Sequence, residues 1–419
     1  MSAQTEMESD QQMKLRCAYP WINNDLFEEI LRVDFPTESI IIQKYYLNAA
    51  LPYGENYSSQ MIRAKVDYTI NSASKQISFI IKAAQTCDNL DEKMVNEMKE
   101  VFRKEMTVYD KVLTKVRELL KEIDDKTKLH GRCYKTNEDI GYLIFEDLSA
   151  VGFCNVDRRT GLDMTHLKLV LSVAAKYHAA TVVLVEKEPS LKTFFKDHVT
   201  ESGESFLRKM LTNVVVAQKE FCKRKPHLEY LVPKLNGIEN TFFNRICETT
   251  TRNDNDFNVI VHGDLWSNNI MFKYDKNGDV EDTVLVDFQL CYYGSPALDL
   301  TYCMYTSSHN DVTESDWDIL VQCYSKELRK TLKKLNYSKK VPSLMELNAQ
   351  IIMKGMYAAG VGPMCEGGRM LENVGADGLA NFVIDEAAEY RLNMLLNPKV
   401  APKIEMLIKY FDRRGRINK

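Results

Sequence analysis

Apolar and polar positions alternate along the first part of the chain. Between residues 60 and 70 every second position is apolar or aromatic, which is the period of a β-strand with one buried face. Residues 40–47 and 76–83 are also rich in apolar and β-branched side chains, and residues 71–74 suit a turn. The pattern predicts three strands, with the last two joined as a hairpin.

Helical periodicity dominates the rest of the chain. Residues 91–122 contain neither Pro nor Gly, so we expect one long helix there, followed by short strands at 133–134 and 141–145. A β-rich stretch at 259–286 interrupts the later helices. The order predicts an α+β chain with a sheet-rich N-terminal part and a mostly helical C-terminal part. The predicted helices cover residues 21–33, 91–122, 164–185, 205–250 and 315–412.

Composition narrows the class of protein. The 419 residues are 45% hydrophobic and 27% charged, which is typical of a globular protein, and the net charge of −4 argues against a nucleic-acid partner. The polar N-terminus lacks the apolar run of a signal peptide, and no stretch approaches the run of about 18 unbroken apolar residues that a membrane helix needs. The ten Cys form no CxxC pair, so reduced thiols are expected. We expect a cytoplasmic protein without a membrane partner, and the sequence implies no protein partner.

Residues 259–270, VIVHGDLWSNNI, place a dense polar cluster between two apolar stretches. The Asn277-Gly278 turn predicts a hairpin after it, so this cluster and Asp287 should lie at neighbouring ends of one small sheet. Asp264 and Asn269 alone would suit an ordinary turn. With Asp287 beside them, they supply hard oxygen ligands for Mg²⁺. A carboxylate that orients a hydroxyl beside such a metal is what phosphoryl transfer requires.

The Asp-x₄-Asn spacing at 264–269 and the Asp-Phe-Gln at 287–289 resemble the catalytic loop and metal motif of protein-kinase-like small-molecule kinases. With Ser-Pro-Ala-Leu-Asp-Leu at 295–300 and Phe-Glu-Asp-Leu-Ser at 145–149, the chain resembles the ecdysteroid kinase-like family of the choline/aminoglycoside kinase superfamily, over about residues 35–400. The resemblance implies a bilobal protein-kinase-like fold. Its parts would be a tail and helix at 1–34, an ATP-binding N-lobe at 35–148, and a C-lobe at 149–419 with the catalytic loop, metal site and acceptor site.

The same resemblance implies roles for individual residues. Asp264 would be the catalytic base, and Asn269 and Asp287 would hold Mg²⁺. Lys82 would hold the α- and β-phosphates of ATP and pair with Glu105, for which Glu97 and Glu100 are rivals. The other residues implied to contact ATP are Gly54, Asn56, Ser58 and Ser59 of the phosphate loop, and Glu146 and Leu148 of the hinge.

Several neighbours of the motif have two interpretations. His262 is either a catalytic acid or a brace for the loop, and the brace is favoured. Trp266 suits an acceptor site and ordinary packing equally well. His178 is expected to be a satisfied core histidine, and Asp299 is implied to anchor the catalytic-loop backbone. Gly263 stands where protein kinases have the Arg that senses a phosphorylated activation loop, so regulation of that kind is not expected.

Two functions of different classes follow. The first is an ATP-dependent phosphotransferase for a hydroxyl of a small molecule, such as an ecdysteroid or another lipophilic or xenobiotic alcohol. The alternative is a non-catalytic pseudokinase that binds small molecules or acts as a scaffold, which the absence of Lys82, Asp264 or Asp287 would favour. All three are present. A protein kinase is disfavoured by the single-Gly phosphate loop, and a metal-dependent hydrolase by the lack of further ligands near His262.

Overall fold

A computed structural model describes residues 11–50, 59–84, 92–195, 204–370 and 381–418, with side chains from 99 and 207 onward in the helices that begin at 92 and 204. The chain divides into two compact units. The first comprises residues 1–110 and 131–152, and the second comprises residues 111–130 and 153–419. The domain boundaries expected from the sequence, after residues 34 and 148, stay a prediction.

The first unit is built on a five-stranded antiparallel sheet with the order β1-β2-β3-β5-β4. Helix α1 (Asn24–Asp34) packs on this sheet, and its N-terminus is capped by Asn23, whose side chain accepts the Leu26 N–H at 3.0 Å. The strands are β1 (Ile40–Ala49), β2 (Ser59–Ile70), β3 (Ala73–Ala84), β4 (Cys133–Asn137) and β5 (Tyr142–Glu146).

The β2–β3 hairpin sets the register of the first unit. Asn71 and Ser72 have φ of 48° and 69°, and Ile70 pairs with Ala73, so two residues with positive φ form the turn. Such a turn matches the twist of the strands that it joins. The register places Lys82 opposite Met61 on β2 and opposite Leu143 on β5. The three strands predicted from alternation are therefore confirmed.

The long helix predicted at 91–122 contains a break in its regular geometry. It runs as α2 (Glu92–Thr107), a π-helical turn (Val108–Leu113) and α3 (Thr114–Glu122). The boundary between the two units falls after Asp110, inside the π-helical turn. A π-helical turn is uncommon and is often found where function constrains a helix.

The second unit is mostly helical. Its longest helix, α4, is long and apolar enough by length and composition to cross a membrane, but 78% of its most apolar window is buried inside the protein. That burial is typical of a core helix. The helices of this unit after α3 are α4 (Met164–Lys187), α5 (Leu191–Phe194), α6 (Glu204–Lys223), α7 (Val232–Ile238), α8 (Phe242–Thr250), α9 (Ala297–Ser307), α10 (Glu314–Lys334), α11 (Leu344–Lys354), α12 (Met356–Gly368), α13 (Ala388–Leu396) and α14 (Ala401–Arg413).

Two small sheets lie within this helical unit. One has the order β6-β8-β9, and in the other β7 pairs with β10. The expected hairpin is present as β8 and β9, whereas β6 and β10 were not predicted, and β7 does not join the hairpin's sheet. The strands are β6 (Phe153–Cys154), β7 (Val259–Val261), β8 (Ile270–Tyr274), β9 (Val280–Leu285) and β10 (Tyr292–Gly294). The predicted α+β class, with a sheet-rich N-terminal part and a helical C-terminal part, is confirmed.

Candidate active site

The β8–β9 hairpin brings the 262–269 loop and Asp287 together. Ile270 at the start of β8 pairs with Leu285 at the end of β9. Immediately beyond that pair, the Val286 N–H donates to the Asn269 carbonyl at 3.0 Å. Because the loop enters β8 where the chain leaves β9, Asn269 and Asp287 occupy the same end of the hairpin, as the sequence predicted.

Asp287 has an uncommon backbone conformation. Its φ of 66° and ψ of 65° place it in the left-handed region, which Asp and Asn tolerate better than other non-Gly residues. Phe288, the next residue, is fully buried. Gln289 returns towards the carboxylate, and its Nε2 donates to Asp287 Oδ2 at 3.3 Å. The chain therefore turns sharply at the residue whose carboxylate faces the loop.

The half-buried carboxylate of Asp264 is held through both of its oxygens. Oδ1 accepts the hydroxyl of Tyr302 at 2.8 Å, and Oδ2 accepts Nδ2 of Asn269 at 2.8 Å. Burial raises the pKa of Asp264, and the negative charge of Asp287 raises it further. The two hydrogen bonds lower that pKa but do not outweigh these effects. Two carboxylates thus interact unfavourably here, and a cation would relieve the repulsion.

The chemistry of the donor set fits Mg²⁺. The amide nitrogen of Asn269 donates to the Asp264 carbonyl at 3.0 Å as well as to its carboxylate, so its Oδ1 remains as an acceptor. Asp264, Asp287 and Asn269 together offer two carboxylates and one amide oxygen, which are hard ligands of the kind Mg²⁺ prefers. The residues predicted to hold a metal are therefore brought together at one place.

Asp299 fixes the backbone of the 262–269 loop through hydrogen bonds to its first two N–H groups. Its carboxylate accepts the N–H of His262 at 2.7 Å and that of Gly263 at 2.9 Å. It also lies 3.1 Å from Nε2 of His178, and both side chains are almost fully buried. Burial alone would raise the pKa of Asp299, but the bond with His178 and the other contacts hold it below its usual value. The predicted role of Asp299 as a loop anchor is confirmed, as is that of His178 as a satisfied core histidine, whose Nδ1 lies 2.8 Å from the Tyr324 hydroxyl.

His262 is a brace. Its Nε2 donates to the Val286 carbonyl at 3.0 Å, and its Nδ1 lies 3.3 Å from the Asp264 N–H, from which it accepts. Both ring nitrogens are therefore committed to the backbone of the site, and the ring packs on Phe288 with centroids 4.6 Å apart. These contacts support the brace interpretation over the catalytic-acid interpretation.

Gly263 is required by the close approach of two backbone segments. Its φ is +81°, and a Cβ there would lie 2.1 Å from the carbonyl oxygen of Leu290. Any side chain would both occupy a conformation that favours Gly and collide with backbone. The departure from the protein-kinase Arg thus follows from the packing of the loop on the segment after Asp287.

Tyr302 is the site residue that sequence reasoning missed. It lies on α9, three positions after Asp299, and therefore on the same helix face. Its ring stacks on Tyr357 with centroids 5.8 Å apart and an interplanar angle of 18°. Burial, followed by the charge of Asp264, raises the pKa of Tyr302 well above its usual value, so the hydroxyl stays protonated and donates. The spacing from Asp299 was the available signal.

The first unit contains the predicted lysine–glutamate pair. Lys82 Nζ lies 2.7 Å from Glu105 Oε2, and both side chains are at least 95% buried, with exposures of 5% and 1%. Of the rivals, Glu100 pairs with Arg103 on an exposed face at 2.8 Å, and the side chain of Glu97 lies outside the described residues. The pairing of Lys82 with Glu105, through β3 and α2, is therefore as predicted.

The predicted hinge follows β5. Glu146 is its last residue and pairs with Phe79, three positions before Lys82 on β3. Asp147 caps the short 3₁₀ helix that begins at Leu148, and its carboxylate accepts the Ser149 N–H at 3.2 Å. The first N–H groups of a helix have no partner within it, which suits the adenine contact implied for Leu148.

The phosphate loop is described only at its end. Ser59 is buried at the start of β2, opposite Ala84. Gly54, Asn56 and Ser58 lie outside the described residues, so their role stays a prediction. Trp266 is half-buried.

Comparison with known proteins identifies the family. The model of the ecdysteroid kinase-like family matches residues 53–337, which is more than half of the chain. The chain therefore belongs to the ecdysteroid kinase-like family.

Individual relatives are more distant. The chain is 32% identical over 87 residues to the 4-hydroxytryptamine kinase of Psilocybe cyanescens, a match that covers 19% of this chain and 24% of that protein. The chain thus spans about a quarter of that relative's length.

Two solved structures are similar over most of the chain. The alignment with choline kinase from Cryptosporidium parvum Iowa II covers 88% of this chain and 91% of the choline kinase chain, with 11% identity and a TM-score of 0.43. Amicoumacin kinase hAmiN, in complex with AMP-PNP, Ca²⁺ and Ami, covers 93% and 96%, with 14% identity and a TM-score of 0.37.

Proposed function

We propose that the chain is an ATP-dependent phosphotransferase that phosphorylates a hydroxyl group of a small molecule. The observation that carries this proposal is the arrangement around Asp264. Its carboxylate is oriented by Tyr302 and Asn269 and lies close enough to Asp287 for their charges to interact. A positioned carboxylate beside a set of hard oxygen ligands is suited to phosphoryl transfer.

In this proposal Asp264 accepts a hydrogen bond from the acceptor hydroxyl and takes its proton as the hydroxyl oxygen bonds to the γ-phosphorus of ATP. The bond between that phosphorus and the bridging oxygen breaks at the same time, and ADP leaves. Asn269 and Asp287 would hold Mg²⁺. When bound, the ion would neutralise charge on the phosphate oxygens. Asp299 and His262 keep the loop backbone in place while the proton moves.

The nucleotide is assigned to residues of the first unit. Lys82, oriented by Glu105 at 2.7 Å, would hold the α- and β-phosphates. The backbone at Glu146 and Leu148 would meet the adenine, and Ser59, with Gly54, Asn56 and Ser58, would contact the phosphates.

The acceptor is proposed to be a small alcohol that contains a ring. The family name points to an ecdysteroid, and the name of the fungal relative points to a hydroxytryptamine. Other lipophilic or xenobiotic alcohols fit the same description.

The experiment is Mg²⁺-dependent ATP consumption by the purified full chain against steroid, choline-like, aminoglycoside, indole and xenobiotic alcohols, with product masses measured in parallel. We expect one class of acceptor to gain a single phosphate. Asp264→Asn and Asp287→Asn should each lower kcat at least about a hundredfold, whereas Asp279→Asn in the exposed hairpin turn should leave it unchanged.

The same experiment distinguishes a phosphotransferase from the alternative function, a non-catalytic binder. Tight binding of Mg²⁺-ATP without transfer to any acceptor would favour a non-catalytic binder. Equal turnover by wild type and Asp264→Asn would falsify the role given to that carboxylate.

A further inference from the structure

The second unit contains a cavity that the proposed reaction does not use. Its volume is about 450 Å³, within the range of small-molecule sites. Its walls come from the end of α4, from residues 254–258, from Tyr293 and from residues 337–353. All of these segments belong to the same unit, so the cavity is a feature of one compact body.

The cavity lies at the opposite end of β7 from the catalytic loop. Asn258, which lines it, immediately precedes β7, whereas His262 immediately follows β7. Tyr293 reaches it from β10, where it pairs with Ile260. Neither Asp264 nor Asp287 is among the lining residues. A ligand here would therefore occupy a second site.

Two phenols line the cavity and can supply hydrogen-bond donors. Burial, followed by the charge of Glu186, raises the pKa of Tyr337 to about 12. Burial also raises the pKa of Tyr293, so both hydroxyls stay protonated. Neither hydroxyl is hydrogen-bonded to a residue that the structure describes. Both lie near Glu186 and line the cavity, where they would donate to an acceptor group of a ligand.

Among the charged side chains around the cavity, one cation has no carboxylate partner among the described residues. Each carboxylate that lines it has a basic partner, but Lys192 forms no ion pair with a described carboxylate. Its Nζ lies over the ring of Tyr293, 5.8 Å from the centroid. The pairs are Glu186 with Lys339, Asp254 with Arg252, Asp256 with Lys354, and Glu346 with Lys340.

We propose that this cavity binds a small organic acid with an aromatic ring. The acid group would bind Lys192 and the phenol hydroxyls. The ring would pack against Phe257, Leu347 and Met353, which line the cavity. This site is independent of the phosphotransferase reaction, so its test does not depend on turnover.

The test uses 4-hydroxybenzoate as the probe and saturation-transfer NMR on the full chain. We expect saturable binding, and we expect the uncharged 4-hydroxybenzamide to bind at least about fivefold more weakly because it lacks the charge-assisted bond. Lys192→Gln should weaken binding of the acid by a similar factor and leave binding of the amide unchanged. Lys276→Gln, at an exposed position of the β8–β9 turn, is the matched control and should bind both as wild type does.

A second variant tests the phenol without changing charge. Tyr293→Phe keeps the ring packed and removes one donor, so the affinity for 4-hydroxybenzoate should fall while that for the amide changes less. Three results would each overturn the proposal: no saturable binding at millimolar 4-hydroxybenzoate, equal binding of acid and amide, or equal loss of affinity in the Lys192 and Lys276 variants.

Discussion

Two side chains hold the carboxylate of Asp264, and each holds a different oxygen. Asn269 comes from the same loop, whereas Tyr302 comes from α9, 38 positions later in the chain. Because one contact is local and the other is not, the orientation of the carboxylate depends on the packing of α9 against the loop. Tyr302 is therefore a positioning residue for the proposed base.

Tyr302→Phe should lower kcat about tenfold and leave the KM for ATP unchanged. The substitution keeps the ring stacked on Tyr357 but removes the hydroxyl that fixes Asp264 Oδ1. Steady-state kinetics with the acceptor found by the panel would measure both constants. Tyr305→Phe is the matched control. Tyr305 lies on the same helix as Tyr302, but its hydroxyl donates to Tyr410 on α14 at 2.8 Å, so its loss should affect stability alone. A similar fall of kcat in both variants would contradict the positioning role.

The convergence of Asp264, Asn269 and Asp287 could be predicted because a hairpin turn between two strands fixes which ends meet. Tyr302 could not be found in that way. Its contact depends on how α9 packs, and a tyrosine in an apolar helix more often belongs to the core. The conformation of Asp287 at φ 66° was also not predictable, since no turn signature precedes it.

At the scale of elements, the pair of Lys82 and Glu105 joins strand β3 to helix α2. A buried ion pair contributes little net stability, but removing one partner leaves a desolvated charge. Lys82→Met and Glu105→Leu should each lower the free energy of unfolding by about 3 kcal/mol, and the double variant should be more stable than either. Urea unfolding of the four proteins would measure this coupling.

The exposed pair of Arg103 and Glu100, with side-chain exposures of 45% and 66%, is the control on the same helix. Breaking this exposed pair should lower the free energy of unfolding by less than about 1 kcal/mol. Additive effects at Lys82 and Glu105, or equal effects at the two pairs, would show that the buried pair does not join the strand and the helix.

The elements that could be predicted are those long enough to show a period. Strand β2 alternates buried and less buried positions from residue 62 to residue 70, and α4 is apolar over most of its 24 residues. Strand β10 has three residues and β6 has two, which is too short for alternation to be visible. Their existence depends on tertiary pairing, so β7 was assigned no partner from the sequence.

At the scale of the whole molecule, charge networks tie distant segments of the second unit together. Glu405 on α14 binds the segment that follows α6. Its carboxylate oxygens lie 3.3 Å from Lys225, 2.9 Å from His227 and 2.6 Å from Lys409. Burial would raise the pKa of Glu405, but these hydrogen bonds lower it to about 2.

The sign of the pH dependence follows from that shift. The pKa of Glu405 is lower in the folded chain than in the unfolded chain. Its contribution to the free energy of unfolding is therefore fully present above the pKa of the unfolded chain and is lost as the pH falls towards 2. Glu405→Gln should lower the free energy of unfolding by about 1 kcal/mol at neutral pH, with a smaller difference at about pH 3. Urea unfolding at both values tests this. The exposed Glu389→Gln should show no difference at either pH, and a Glu405 effect that grows on acidification would contradict the network.

The π-helical turn between α2 and α3 bears on which insertions and deletions the chain can accept. Its hydrogen bonds close over five residues rather than four, so it holds one residue more than a regular α-helix of the same rise. Deleting one residue within 108–113 would remove the extra residue and restore the regular geometry of the helix. The segment is therefore expected to accept the loss of one residue more readily than a further insertion, because the turn already absorbs one.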